Sequence, residues 1–268
     1  MTGNPAGRTP ARRRHIGLAI WLSAILALLQ LAAAGPVVAM HPEGSVLPDL
    51  VMLAPKDFST QKRPKGVRWL RFDTVIANIG PGAFDVYGYQ HPDDTPGILR
   101  VVQRVQGAAG MPAWSEHATS ATMSYSGDGH DHHHVNGLQA WTLTNDRNER
   151  VGSGAKTGFC FWDNYRYGST APAHYLPSTT SACDERTDGT VPMGLSSGWG
   201  DEYPSTIAFQ YVPITGLPTG DYTLSVQADA GGAFVEADEL DNNWAWARLR
   251  IDRRGVTVLA SGLGPPPS

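Results

Sequence analysis

From Asp221 to Asp229 the chain alternates without a break: Tyr222, Leu224, Val226 and Ala228 are apolar, and the residues between them are polar. Successive side chains of an extended strand point to opposite faces, so this stretch has one dry face and one wet face and belongs in an antiparallel sheet. The turn Gly216-Leu217-Pro218-Thr219-Gly220 leads into it. A second run, residues 69–79, sets Leu70, Phe72, Thr74 and Ile76 on one face and stops at Gly80-Pro81-Gly82. Shorter runs at residues 47–53, 83–87, 98–105, 138–143, 206–212 and 244–251 read as further strands, with Ile207, Phe209 and Tyr211 sharing a face in the fifth. Residues 56–65 read as a charged loop, 107–114 as a loop and 145–148 as a turn. The 30 glycines and 20 prolines among 268 residues break up any helical period in the body. The expected fold is mainly β, a single β-sandwich-like domain with long irregular loops.

The N-terminus is of another kind. Arg8, Arg12, Arg13 and Arg14 precede an apolar run from Ile16 to Ala34, which closes in Ala32-Ala33-Ala34-Gly35. A basic region, an apolar region and a small-residue cleavage site make residues 1–34 a secretory signal, and the expected location is extracellular. The apolar run of 19 residues is also long enough to span a bilayer, so an uncleaved anchor over residues 16–34 is the alternative, and the only way a membrane enters. Those arginines mask an acidic body: residues 35–268 hold 17 bases against 25 acids, a net of −8 where the whole chain has −4. Such a surface argues against nucleic acid as a partner.

Export bears on the two cysteines. Cys160 and Cys183 are expected to pair as a disulfide in an oxidising compartment. The bridge would close a loop worth about 3 kcal/mol of chain entropy. It would also pin residues 164–195, a stretch rich in Ser, Thr, Pro and Gly with no period of its own.

The chemistry centres on residues 127–137, Gly-Asp-Gly-His-Asp-His-His-His-Val-Asn-Gly, which hold four of the nine histidines. On an extended strand His130, His132 and His134 project together while Asp131, His133 and Val135 face the other way. Three imidazoles converging on one point suit copper, zinc, iron or nickel, and the spacing alone does not choose among them. A solvated histidine turn that binds metal adventitiously is the plainer alternative.

Three separated segments together resemble the catalytic domain of the lysyl oxidases, its prokaryotic branch more closely than the animal enzymes, over roughly residues 47–252. The histidines take the places of the family's His-x-His-x-His copper site. Lys156-Thr157-Gly158-Phe159-Cys160 looks like the family's lysine with Phe and Cys three and four positions on. Gly198-Trp199-Gly200-Asp201-Glu202-Tyr203, followed by Ile214-Thr215 and Gly220-Asp221-Tyr222, is similar to the region that holds the family's precursor tyrosine. The resemblance makes residues 35–254 a lysyl oxidase-like catalytic domain, with residues 255–268 left as a Pro/Gly-rich disordered tail. It implies a copper amine oxidase in which His130, His132 and His134 hold copper and Lys156 and Tyr203 become a lysine tyrosylquinone. Its substrate would be a primary amine or a lysine-containing peptide or protein, with molecular oxygen as acceptor and hydrogen peroxide and ammonia released. The chemistry explains the residue types: amine oxidation needs an electrophilic carbonyl, and no standard side chain carries one. Against the animal pattern, residues 124–129 replace an aromatic, His and Cys segment, and the step from Trp199 to Tyr203 is one residue longer.

A base must also take a proton from the substrate carbon, and Asp201, Glu202, Asp163 and His133 are the candidates near the named residues. Glu236, Asp238, Asp241, Asn242 and Asn243 crowd oxygen ligands into one loop, with Asp49 resembling the family's partner for it, a candidate calcium site. The rival readings are a non-catalytic immunoglobulin-like metal-binding or adhesion module and, more remotely, a zinc hydrolase using the same histidines.

Overall fold

Arg68–Asn78 is the strand on which the site is hung, and four others pair with it antiparallel: Leu50–Met52, Lys56–Lys62, Trp199–Tyr203 and Tyr211–Pro213. The computed structural model describes residues 44–110, 112–127, 131–237 and 242–267. The signal expected over residues 1–34, or the anchor over 16–34, lies outside them. Among the described residues no helix is long and apolar enough to cross a membrane.

The architecture is mainly β, 50% strand and 3% helix, in several antiparallel sheets with no closed barrel. The short strand Tyr165–Arg166 extends the sheet of Arg68–Asn78 by pairing with Trp199–Tyr203. A second sheet runs Gly158–Phe159, His133–Asn136, Trp114–Tyr125, Ile98–Gly107, Phe84–Tyr89 and Thr190–Leu195, with Ser45–Val46 also paired to Ile98–Gly107. The third runs Arg150–Ser153, Gln139–Asn145, Gly220–Ala228, Trp244–Ile251 and Val256–Leu263. Tyr222, Leu224, Val226 and Ala228 are all buried, as their alternation predicts. All three sheets contribute to one core. A row of edge-to-face rings crosses it from Phe72 to Trp141 (5.1 Å), on to Phe159 (5.7 Å) and then to Tyr203 (5.1 Å). Contacts of this geometry contribute about 1 kcal/mol each beyond the area they bury, and here they fix the plane of the Tyr203 ring.

Several segments depart from what their sequence suggests. Lys56–Lys62 is a strand rather than a charged loop, because its backbone ladder to residues 68–73 leaves the charged side chains in solvent. Trp114–Tyr125 is a long strand with scarcely a buried residue, so no apolar face announces it. The strand expected over residues 206–212 is present only as Tyr211–Pro213, since Phe209 has a φ of 58° that ends the extended run. Residues 255–268 are not all tail: Val256–Leu263 pairs along Trp244–Ile251 by its backbone while Val258, Leu259 and Leu263 stay exposed. Cys160 and Cys183 are bonded, with Cα atoms 5.7 Å apart, and the Cys183 carbonyl accepts a hydrogen bond from the His133 N–H at 2.9 Å.

Candidate active site

Tyr203 ends the strand Trp199–Tyr203 and lies opposite Thr74 on Arg68–Asn78. Alternation turns Trp199, Asp201 and Tyr203 inward, and all three are buried, while Glu202 faces the other way and pairs with Lys56 at 2.7 Å. Gly200 allows the close approach of the two strands: a Cβ there would stand 2.6 Å from the Ile76 carbonyl oxygen. The Tyr203 hydroxyl accepts a hydrogen bond from the Cys160 N–H at 2.7 Å and donates to the Cys160 carbonyl. Ring and hydroxyl are therefore both held.

Lys156 lies between the strands Arg150–Ser153 and Gly158–Phe159, and both its neighbours are tied down. The Ala155 N–H donates to the Tyr211 carbonyl at 2.9 Å, and the Thr157 carbonyl accepts from the Gly137 N–H at 2.9 Å. The side chain, only 5% exposed, carries its ammonium to 5.2 Å from the centre of the Tyr203 ring and 5.3 Å from that of Phe159. Two residues remote in sequence thus meet inside the domain.

His134 is on the strand His133–Asn136 and His132 just precedes it; their Nε2 atoms face each other at 3.1 Å. Metal–nitrogen bonds of about 2.0 Å place two ligands of one ion roughly 2.8–3.3 Å apart, so this imidazole pair fits a shared metal. His134 is buried against Gly158, where a Cβ would come within 2.8 Å of the His134 Cβ. His130 lies outside the described residues, and among those described no cluster of three or more His, Cys, Asp or Glu side chains could hold a metal ion. Two cavities reach the pairs: one of about 250 Å³ takes in His134 and Lys156, and one of about 410 Å³ takes in His132, Asp201 and Tyr203.

The four candidate bases separate cleanly. Asp163 accepts from the backbone N–H groups of His174, Tyr175 and Ser196 and from the Ser196 hydroxyl, so its carboxylate is a clamp for the long irregular segment. Glu202 faces away from Tyr203 and is paired with Lys56. His133 packs edge-on against Tyr125, across the strand from His134. Asp201 alone is buried beside Tyr203. Burial pushes its pKa well above the ordinary carboxylate value, against the downward pull of the Tyr203 hydroxyl, the Asn164 amide and the Lys156 ammonium. Asn164, which no sequence signal marks, donates to Asp201 Oδ1 and accepts from the Glu202 N–H at 2.6 Å.

At the candidate calcium loop, Asp238 and Asp241 lie outside the described residues. Asn242 donates to Asp49 Oδ1 at 2.7 Å, and Glu236 accepts from the Leu50 N–H and from Asn243 at 3.3 Å. The side-chain oxygens of Asn242 and Asn243 are buried without a hydrogen-bond donor among the described residues, an arrangement that fits an oxygen-liganded cation.

The β domain thus buries a lysine ammonium against a clamped tyrosine, with facing imidazoles alongside. The family model described as lysyl oxidase matches residues 88–261, more than half of the chain, and the protein belongs to the lysyl oxidase family, whose domain carries amine oxidase activity. The match ends at residue 261, inside the last strand, Val256–Leu263. Among curated proteins none matches the chain.

Proposed function

We propose that this protein is a copper-dependent amine oxidase that converts the terminal CH₂–NH₂ group of a small primary amine or a lysine side chain to an aldehyde. One amine, one oxygen molecule and one water give one aldehyde, one ammonia and one hydrogen peroxide. The observation that carries the reading is the Lys156 ammonium 5.2 Å from the Tyr203 ring centre, in the interior and beside the imidazole pair. Burying an ammonium is costly, and a module that merely carried metal would have no use for one there. Copper and a lysine tyrosylquinone made from Lys156 and Tyr203 supply, when present, the electrophilic carbonyl and the route for two electrons to oxygen.

The chain's own residues do the rest. His130, His132 and His134 would hold the copper. Phe159 and the Cys160 backbone keep the tyrosine from turning away from Lys156. Asp201 takes the proton from the substrate carbon next to the nitrogen, since its raised pKa suits a base that works above the ordinary carboxylate range. Mass analysis of copper-loaded protein should find one cross-linked peptide pair containing Lys156 and Tyr203, absent from Lys156→Ala; two free peptides in the loaded wild type would rule the quinone out.

The disulfide and the N-terminal signal pattern support an exported mature chain. Asp49, Glu236, Asp238, Asn242 and Asn243 are the proposed calcium ligands. Calorimetric titration of metal-stripped protein with calcium should show one saturable site, lost in Glu236→Gln; no heat of binding in the wild type would discard it.

A further inference from the structure

Phe209 is 43% exposed and has a φ of 58°, a backbone region that a residue with a side chain enters only against a steric penalty. Its surroundings impose that conformation. Gln210, fully buried, donates to the Thr74 hydroxyl at 3.0 Å and to the Phe72 carbonyl at 3.3 Å. The Tyr211 ring stacks on Trp69 with centroids 3.9 Å apart, and its N–H bonds the Phe209 carbonyl at 2.8 Å. On the other side Arg71 donates to the Ser205 and Ile207 carbonyls, and Asp73 accepts from the Ser205 N–H. With both flanks fixed, the strain and the exposed ring come from one rigid display, not from a loose loop. The ring lines the cavity of about 250 Å³ that also takes in His134 and Lys156, where Tyr125, 53% exposed, is a second aromatic. The other described side chains there include Ser124, Ser126, Asn136 and Thr157, hydroxyls and an amide with no carboxylate to meet a second cation.

We propose that Phe209 is a specificity-determining residue: its ring is the apolar wall on which the carbon skeleton of the substrate lies, selecting primary monoamines with an aryl or alkyl tail over amines with a second charge. The inference rests on the amine oxidase reading above. An aromatic face and a preset backbone let the wall form without ordering anything on binding. The Phe209 ring touches no step of the chemistry, so its effect falls on KM before kcat.

The test is peroxide release from 2-phenylethylamine and from 1,5-diaminopentane by wild type, Phe209→Ala and Phe209→Gly, with thermal melts of all three. The wild type should favour 2-phenylethylamine in kcat/KM, and both variants should lower that preference about tenfold, mainly through KM. Phe209→Gly should also melt higher than Phe209→Ala, since glycine accepts the positive φ. Peroxide from both amines at a ratio that neither variant changes overturns the inference and leaves the amine oxidase reading standing. Peroxide from neither amine overturns both.

Discussion

Replacing Tyr203 with phenylalanine should abolish peroxide release from every amine and, on the proposed chemistry, leave copper binding intact. The side chain keeps its place in the row of rings and its contact with Lys156, so the change removes one oxygen and little packing. What it deletes chemically has no substitute, because without a phenol there is nothing to oxidise to a carbonyl, and the expected loss is roughly 10³-fold or more. Its structural cost is bounded. The Cys160 N–H loses its buried acceptor, worth about 1–3 kcal/mol, which a domain of ordinary stability survives. Metal analysis, a melting curve and an amine-panel peroxide assay on one preparation check all three points; a folded, copper-loaded variant that still makes peroxide would exclude the quinone.

Asp201→Asn should lower kcat by about 10²–10⁴-fold, the usual span for a positioned general base, while the amide keeps the shape of the carboxyl and its neighbour Asn164. The pH dependence gives the sign. A base acts when ionised, and burial raises the Asp201 pKa, so kcat should climb with pH along a limb lying above the ordinary carboxylate range. Burial and the Asp163 carboxylate push it up, and Tyr203, Asn164 and Lys156 pull it down. Stability runs the opposite way: the folded protein holds this proton more tightly than the unfolded chain does. That contribution is whole below the ordinary carboxylate pKa and is lost as pH rises through the raised one. Melting curves across pH should therefore lose a part of their alkaline-going decline in Asp201→Asn. A variant with wild-type kcat at every pH would remove Asp201 from the mechanism.

Much of the fold can be read where one face of a strand is dry. Tyr222, Leu224, Val226 and Ala228 declare themselves by period two, and Leu70, Phe72 and Ile76 do the same, though the intervening Val75 and Ala77 are buried as well. Trp114–Tyr125 and Lys56–Lys62 stay hidden for the converse reason: sheets hold them by backbone bonds, with no apolar stripe to betray them. The site divides along similar lines. Two histidines two residues apart meet by local geometry, which spacing predicts. The meeting of Lys156 with Tyr203 depends on how separate strands stack, and periodicity carries no trace of it; only likeness to a family could pair them. Which acid would serve as the base is equally closed to sequence, because Asp163, Asp201 and Glu202 all offer a carboxyl and differ in burial and partners. Phe209 reads in sequence as one more inward strand residue, and its positive φ turns it outward.

The bond between Cys160 and Cys183 reaches further than the loop it closes. One partner's backbone N–H and carbonyl grip the phenol of Tyr203, and the other's carbonyl steadies the backbone at His133, between His132 and His134. The cystine is thus a yoke across two halves of the candidate site. On the amine oxidase reading, a chain whose two thiols are still reduced should therefore be slow to assemble its oxidant.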